Sequence, residues 1–211
     1  MVETGNEVGL EAAPEWERQM RTTLMAASLG LLAALAPANA APIVFETTLG
    51  PEVPGATGSG SALVIVDPVA NTLFIDIDFT GLSGTTTVAH IHCCTAVAGA
   101  GTIGVAVTPG TFPGFPVGVT AGSYANTFDT TDPANFTAAF VTNFGGGTID
   151  GAEAALIAGM LAGTAYVNVH STTFPPGEIR GFLHAIPEPA SLVLLAAGLV
   201  GLGLARPRLR A

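Results

Sequence analysis

Residues 71–79, NTLFIDIDF, alternate between two kinds of side chain. The odd-numbered positions are all apolar: Leu73, Ile75, Ile77 and Phe79. The even-numbered positions are mixed: Phe74, Asp76 and Asp78. Because successive residues of a β-strand face opposite sides, this period predicts a half-buried strand. The preceding run 61–67, SALVIVD, and the turn residues 68–71 extend the prediction to a β-hairpin over 61–79.

On both sides of the hairpin, short apolar runs alternate with segments that are rich in glycine and proline. The sequence contains 27 glycines and 15 prolines, a composition that favours many turns and an all-β fold. We predict further strands at 43–49, 87–93, 103–107, 116–120, 122–128, 165–171 and 178–184. Together with the hairpin they predict an antiparallel, Greek-key-like β-sandwich.

Two segments depart from the strand pattern and predict short inserted helices. Asp132 and Pro133 are typical of a helix start, and phenylalanines then recur every four residues at 136, 140 and 144. The second segment begins with a capping-box variant formed by Asp150 and Glu153. It continues as an apolar stripe over 156–161 and ends near Gly163.

Charge is sparse and mostly negative. Between residues 41 and 186 there are ten acidic residues and one arginine, a net charge of about −9. Such a surface repels phosphate backbones, which excludes nucleic acid as a partner. The acidity either attracts cations or keeps an apolar exported domain soluble.

Residues 20–40 have the layout of a secretory signal peptide. Arg21 precedes an apolar run over 24–36, and the small residues Ala38 and Ala40 predict cleavage after Ala40. The run is short for a membrane span. The acidic stretch 1–19 is unsuited to a signal, so we predict that it is a mis-called extension and that translation starts at Met20.

The other end of the chain combines three features in a fixed order. They are Pro187, Glu188 and Pro189, then sixteen uncharged residues over 190–205, then Arg206, Arg208 and Arg210. A sixteen-residue helix is about 24 Å long, somewhat short of a ~30 Å hydrocarbon core. The arginines after it favour a cytoplasmic end.

This tail, residues 187–211, resembles the PEP-CTERM sorting signal of Gram-negative bacteria. The resemblance implies an exosortase-type membrane protease as a partner, with export through the general secretory route. It also implies transient anchoring in the inner membrane by a C-terminal hydrophobic helix, followed by release to the cell surface or the exterior. Extracellular polysaccharide is a further partner associated with such proteins.

The stretch 88–94, VAHIHCC, carries two of the four histidines. His90 and His92 lie two apart on a predicted strand and therefore share a face. A weak internal similarity aligns TVAHIHCCT with AYVNVHSTT, which matches His92 to His170. If these strands pair, the three histidines can gather as a zinc or copper site or as a hydrogen-bonded polar cluster.

The two cysteines, Cys93 and Cys94, leave several readings open. Neighbouring residues of a strand point apart, which disfavours an ordinary disulfide between them. A strained vicinal disulfide, two separate thiols, an intermolecular bridge and metal ligation remain. Farther along, Glu178 and Arg180 are predicted to form a structural ion pair.

Three short motifs together resemble the CHRD domain, first described in chordin and common in bacterial secreted proteins. They are AHIH at 89–92, YVNVH at 166–170 and GEIRG at 177–181, and the resemblance spans about 45–184. It implies a fold and a location but no activity, because the growth-factor partners of chordin do not transfer to a bacterial surface protein.

The sequence therefore predicts four segments: an extension (1–19), a signal helix (20–40), an all-β domain (41–186) and a sorting helix (187–211). It contains no phosphate-binding loop and no nucleophile elbow. We expect a non-enzymatic, exported cell-surface or extracellular-matrix protein without a cofactor. The alternative is a zinc- or copper-binding sandwich protein or oxidoreductase that uses His90, His92 and His170.

Overall fold

The computed structural model describes residues 41–187. The predicted extension, the signal with Ala38 and Ala40, and the sorting tail from Glu188 through Pro189 to Arg206, Arg208 and Arg210 lie outside the described residues. Within residues 41–187, no helix is both long and apolar enough to cross a membrane.

Nine antiparallel strands and two short helices make up the domain, so the all-β prediction is confirmed. The strands are β1 (Ile43–Pro51), β2 (Ser59–Asp67), β3 (Thr72–Thr80), β4 (Thr86–His92), β5 (Val105–Val107), β6 (Gly122–Asp129), β7 (Tyr166–Ser171), β8 (Ile179–Phe182) and β9 (His184–Ala185). The helices are α1 (Ala138–Asn143) and α2 (Ile149–Leu161). Neighbouring strands follow the order β5-β4-β7-β8-β1-β2-β3-β6, with β9 also paired to β1.

The predicted hairpin is formed by β2 and β3. Their register runs from Asp67 opposite Thr72 to Ser59 opposite Thr80. The apolar row of β3 is buried in the core, as the alternation predicts. Asp67 accepts hydrogen bonds from two backbone N–H groups of the turn, and Asn71 completes the turn at a φ of +55°.

Strand β1 belongs to both halves of the curled sheet. Its residues 43–49 pair with β2, while Gly50 and Pro51 pair with β8. The two halves are thus joined in one hydrogen-bonded path and enclose a common core. The chain also returns to β1 at the end of the domain, where β9 pairs with it and the Ile186 N–H donates to the Val44 carbonyl.

Three predicted strands differ in the structure. Segment 116–120 is a loop, because its backbone bonds reach β4 only around Thr86 and Gly118 adopts a φ of +78°. The prediction at 103–107 shortens to β5. The prediction at 178–184 divides into β8 and β9, which pair with different parts of β1: β8 with Gly50 and Pro51, and β9 with Phe45 and Glu46.

The first predicted helix is interrupted. Asp132 caps only a 3-10 turn, Pro133–Asn135, and Phe136 is extended. The cause is pairing with β5: Phe136 bridges Val107, and the Thr137 N–H donates to a β5 carbonyl. Helix α1 then starts afresh, with Thr137 as its cap.

The second predicted helix, α2, starts two residues earlier than expected. Its N-cap is Thr148, whose hydroxyl accepts from the Gly151 N–H, so the assignment of Asp150 as the cap is wrong. Of the predicted apolar stripe, Leu156 and Met160 are buried, whereas Leu161 is largely exposed.

Candidate metal centre

The three histidines lie together on the face of β4 and β7 that points away from the core. Alternation sends Ile91, Val167 and Val169 inward, and it sends His90, His92 and His170 to the opposite face. All three histidines are nonetheless buried. The structure therefore brings together the residues that the internal similarity aligned.

A backbone carbonyl holds each imidazole at Nδ1. The distances are 2.9 Å from His90 to Gly110 O, 2.6 Å from His92 to Ile103 O and 2.7 Å from His170 to Pro175 O. Because a carbonyl only accepts, each Nδ1 carries the proton. In the neutral ring Nε2 is then an unprotonated acceptor.

Within the described residues, the Nε2 atoms of all three histidines are buried and have no hydrogen-bond partner. One ligand nitrogen from each histidine lies within 4.8 Å of the others. Tetrahedral zinc ligands at 2.0–2.1 Å are about 3.3 Å apart, so binding would draw any two of these nitrogens together by at most about 1.5 Å. The three residues fit a zinc or copper ion in number, ligand type and tautomer.

Burial also sets the protonation of His90 and His92. It lowers the pKa of His90 from 6.5 to about 4, against the opposing hydrogen bond to Gly110. Burial likewise lowers the pKa of His92. Both rings are therefore neutral at neutral pH, and neutral imidazole is the form that binds metal.

Tyr166 and Arg180 form a stack beside the cluster. The Tyr166 ring is parallel to that of His92, with centroids 4.6 Å apart, and the Arg180 guanidinium lies 5.2 Å from the Tyr166 centroid. Arg180 pairs with Glu52 at 3.2 Å. The other Glu52 oxygen accepts from Asn168 Nδ2 at 3.0 Å.

The predicted ion pair between Glu178 and Arg180 is therefore wrong. Pairing of Gly50 and Pro51 with β8 brings Glu52 to Arg180 instead. Glu178 is fully buried and accepts from the Ser83 N–H. Burial would raise its pKa, but hydrogen bonds, chiefly from Ser171 and Ser83, lower that pKa overall.

Comparison with known families covers most of the chain. A family model for the CHRD domain matches residues 33–183, which include all three histidines and both cysteines. The chain belongs to the CHRD domain family. The PEP-CTERM protein-sorting motif matches residues 185–208, which implies an exported protein sorted by an exosortase-type system. Searches of curated proteins and of solved structures found no match.

The three motifs of this CHRD domain occupy three adjacent strands. AHIH lies on β4, YVNVH on β7, and GEIRG on β8 and the residues before it. On the outer face, Asn168 of β7 lies between His90 of β4 and Arg180 of β8, directly opposite each of them in the register. The motifs thus supply a single surface that includes the cluster and the groups around it.

Cys93 and Cys94 form a vicinal disulfide that lies against helix α2 of the CHRD domain. Gly159 of α2 faces both sulfur atoms so closely that a Cβ there would collide with them. Cys93 also lines a small cavity with Ile103, the residue whose carbonyl holds His92.

Two residues near the histidine cluster and the disulfide could not be identified from the sequence. Glu52 lies in the segment PEVP at the end of β1, where neither periodicity nor a motif marks it. Gly159 reads as an ordinary helix residue, and only the packing of α2 against the disulfide gives it a role.

Proposed function

We propose that this chain is an exported surface protein whose CHRD domain binds one zinc or copper ion through His90, His92 and His170. The observation that carries the proposal is the set of three buried Nε2 atoms that have no partner within residues 41–187. An unpartnered buried acceptor costs about 1–3 kcal/mol. A single ion would satisfy all three acceptors at once.

The alternative, a purely hydrogen-bonded polar cluster, accounts for only half of each imidazole. The backbone carbonyls occupy the Nδ1 sides, and the Nε2 sides have no partner in the described part of the chain. A carbonyl on the far nitrogen is also the usual means by which proteins orient a metal-binding histidine. Both observations favour the metal.

We propose binding rather than catalysis as the role of the site. The side chains of His90, His92 and His170 are 6%, 9% and 7% exposed. This burial favours retention of an ion over turnover of an organic substrate. Turnover of superoxide or hydrogen peroxide by the copper-loaded chain would instead support an oxidoreductase.

Metal analysis of the purified full-length chain tests the site. After incubation with zinc or copper and removal of excess metal, we expect about one ion per chain. Simultaneous replacement of His90, His92 and His170 by alanine should abolish binding. The variant His184→Ala is the matched control, since His184 is exposed on β9 and lies outside the cluster. A wild-type chain that retains neither metal would refute the proposal.

The route of export is part of the same proposal. We infer transit through the general secretory pathway, transient inner-membrane anchoring and processing by an exosortase-type protease, followed by residence at the surface or among extracellular polysaccharide. The matched sorting motif supports this inference. Exchange of Arg206, Arg208 and Arg210 for glutamine should impair processing, whereas exchange for lysine preserves the charge and should not. Mass spectrometry of the exported chain measures both, and equal processing of the glutamine variant would contradict the inference.

A further inference from the structure

Asn168 occupies the centre of the β7 row that flanks the histidines. It is 1% exposed, and it lies on the same strand face as Tyr166 and His170. In the β4–β7 register it stands directly opposite His90. Side chains directly opposite on one face of an antiparallel pair have Cβ atoms about 4.5–5.5 Å apart, so the amide borders the cluster.

Glu52 fixes which way this amide points. A carboxylate only accepts hydrogen bonds, so the group that faces Glu52 must be the Asn168 NH₂, as the 3.0 Å contact has it. Glu52 is in turn held by Arg180, which also donates to the Gly101 carbonyl at 2.9 Å. The amide oxygen Oδ1 therefore points away from Glu52.

Gly177 closes the amide in from another side. A Cβ at this position would collide with Glu52 Oε2 and with both polar atoms of the Asn168 amide. The backbone of the segment before β8 therefore lies directly on the amide and restricts its rotation.

Asn168 Oδ1 is buried and has no hydrogen-bond partner among residues 41–187. The neighbouring imidazoles cannot supply one, because their Nε2 atoms are acceptors too. This side of the domain thus presents four buried acceptors: three imidazole nitrogens, which are good ligands for zinc or copper, and one neutral amide oxygen.

We propose that Asn168 Oδ1 accepts a hydrogen bond from a water molecule in the fourth coordination position of the ion. This proposal rests on the metal site proposed above and specifies its remaining position. Three protein ligands and one water are the usual arrangement of a zinc site with an exchangeable position. The amide oxygen then favours ligands that carry a hydrogen, such as water, over anions that carry none, such as azide.

The test uses the full-length chain loaded with Co²⁺, whose visible absorption reports coordination where zinc is silent. Azide titration should change the wild-type spectrum. The variant Asn168→Ala should bind azide about 3- to 10-fold more tightly, the range expected when the displaced water loses one hydrogen bond. Asn126→Ala, which removes an amide on β6, is the control and should match wild type.

Glu52→Gln is a second test variant, which should reverse the Asn168 amide rather than remove it. Arg180 requires an acceptor, so the new amide would turn its NH₂ towards Asn168 and force the Asn168 amide to reverse. The site would then face a donor, and azide binding should tighten at least as much as in Asn168→Ala. Should Asn168→Ala fail to fold, this variant decides the question.

The outcomes separate the two proposals. A wild-type chain that binds none of Co²⁺, Zn²⁺ and copper refutes the metal site itself. Stoichiometric Co²⁺ with a spectrum that azide does not alter leaves the metal site standing and overturns the water position. Equal azide affinity in wild type, Asn168→Ala and Glu52→Gln overturns the role of Asn168.

Discussion

Tyr166 lies flat against His92, with 4.6 Å between the ring centroids and 5° between the ring planes. The two residues are also directly opposite in the β4–β7 register. The contact joins the candidate metal centre to the stack of Tyr166 and Arg180, so the orientation of His92 depends on the first residue of the YVNVH motif.

We expect the ring of Tyr166, rather than its hydroxyl, to support the site. Tyr166→Ala removes a side chain that is 1% exposed and should lower the free energy of unfolding by about 3–5 kcal/mol. Tyr166→Phe loses only a long contact with the Ile103 N–H, at 3.4 Å, and should cost less than about 1 kcal/mol. Urea unfolding and zinc affinity measure both variants. Equal losses in the two would contradict a role for the ring.

Ile91 should matter more than His92 for stability in metal-free buffer. Ile91 is fully buried in the core, and its truncation to alanine should cost about 2–5 kcal/mol. His92→Ala loses one net hydrogen bond, worth about 0.5–1.5 kcal/mol. Thermal unfolding with a chelator present compares the two.

Saturating zinc should change this comparison. A metal bound only by the folded state adds to its stability, and His92→Ala forfeits that gain whereas Ile91→Ala keeps it. If zinc stabilises the His92→Ala variant as much as Ile91→Ala, His92 is not a ligand.

The metal-free domain should lose stability on acidification. Because burial lowers the pKa of His90 to about 4, the folded chain binds fewer protons than the unfolded chain between pH 6.5 and 4. Stability is therefore full above pH 6.5 and falls as the pH drops through this window, by at most about 3 kcal/mol from His90. The lowered pKa of His92 acts in the same direction.

Chemical unfolding at a series of pH values with a chelator present checks this dependence. His90→Gln removes the larger titrating contribution that the structure identifies and should make the curve between pH 6.5 and 4 less steep, with the contribution of His92 remaining. An identical pH dependence in wild type and variant would show that His90 is not its source.

Gly159→Ala should destabilise the domain, although alanine favours helices. The added Cβ meets the sulfur atoms of Cys93 and Cys94, and forced overpacking typically costs about 1–3 kcal/mol. The same substitution in a Cys93→Ala, Cys94→Ala background should cost much less, because the sulfur atoms are gone. A double-mutant cycle measures the difference, and a coupling free energy near zero would exclude the contact as the cause.

Local periodicity predicted most of the sheet but little of the pairing around the site. The alternation of side chains in β3 and in AHIH depends only on residues close together in the sequence, so the sequence predicts it. The pairing of Arg180 with Glu52 depends on which strand lies beside β8, a long-range property without a local signal. The same limit explains Phe136, whose helical spacing yields to the bridge with Val107.

The candidate site shows the same division. Two histidines two apart on a strand must share a face, and the internal similarity pointed to His170 as the third. The tautomers of the rings, in contrast, are fixed by carbonyls of three separate loops, at Gly110, Ile103 and Pro175. Loop backbones carry no residue-specific pattern that would place them over an imidazole.

The return of the chain to β1 has a mechanical meaning. Because Ile186 is hydrogen-bonded to Val44, the polypeptide enters and leaves the domain at neighbouring points. Cutting the chain before residue 43 or after residue 187 would sever none of the strand pairings found within residues 41–187. A domain tethered through its tail would be held at this one corner, and traction on the tether would first load the short β9–β1 ladder rather than the strands that carry the histidines.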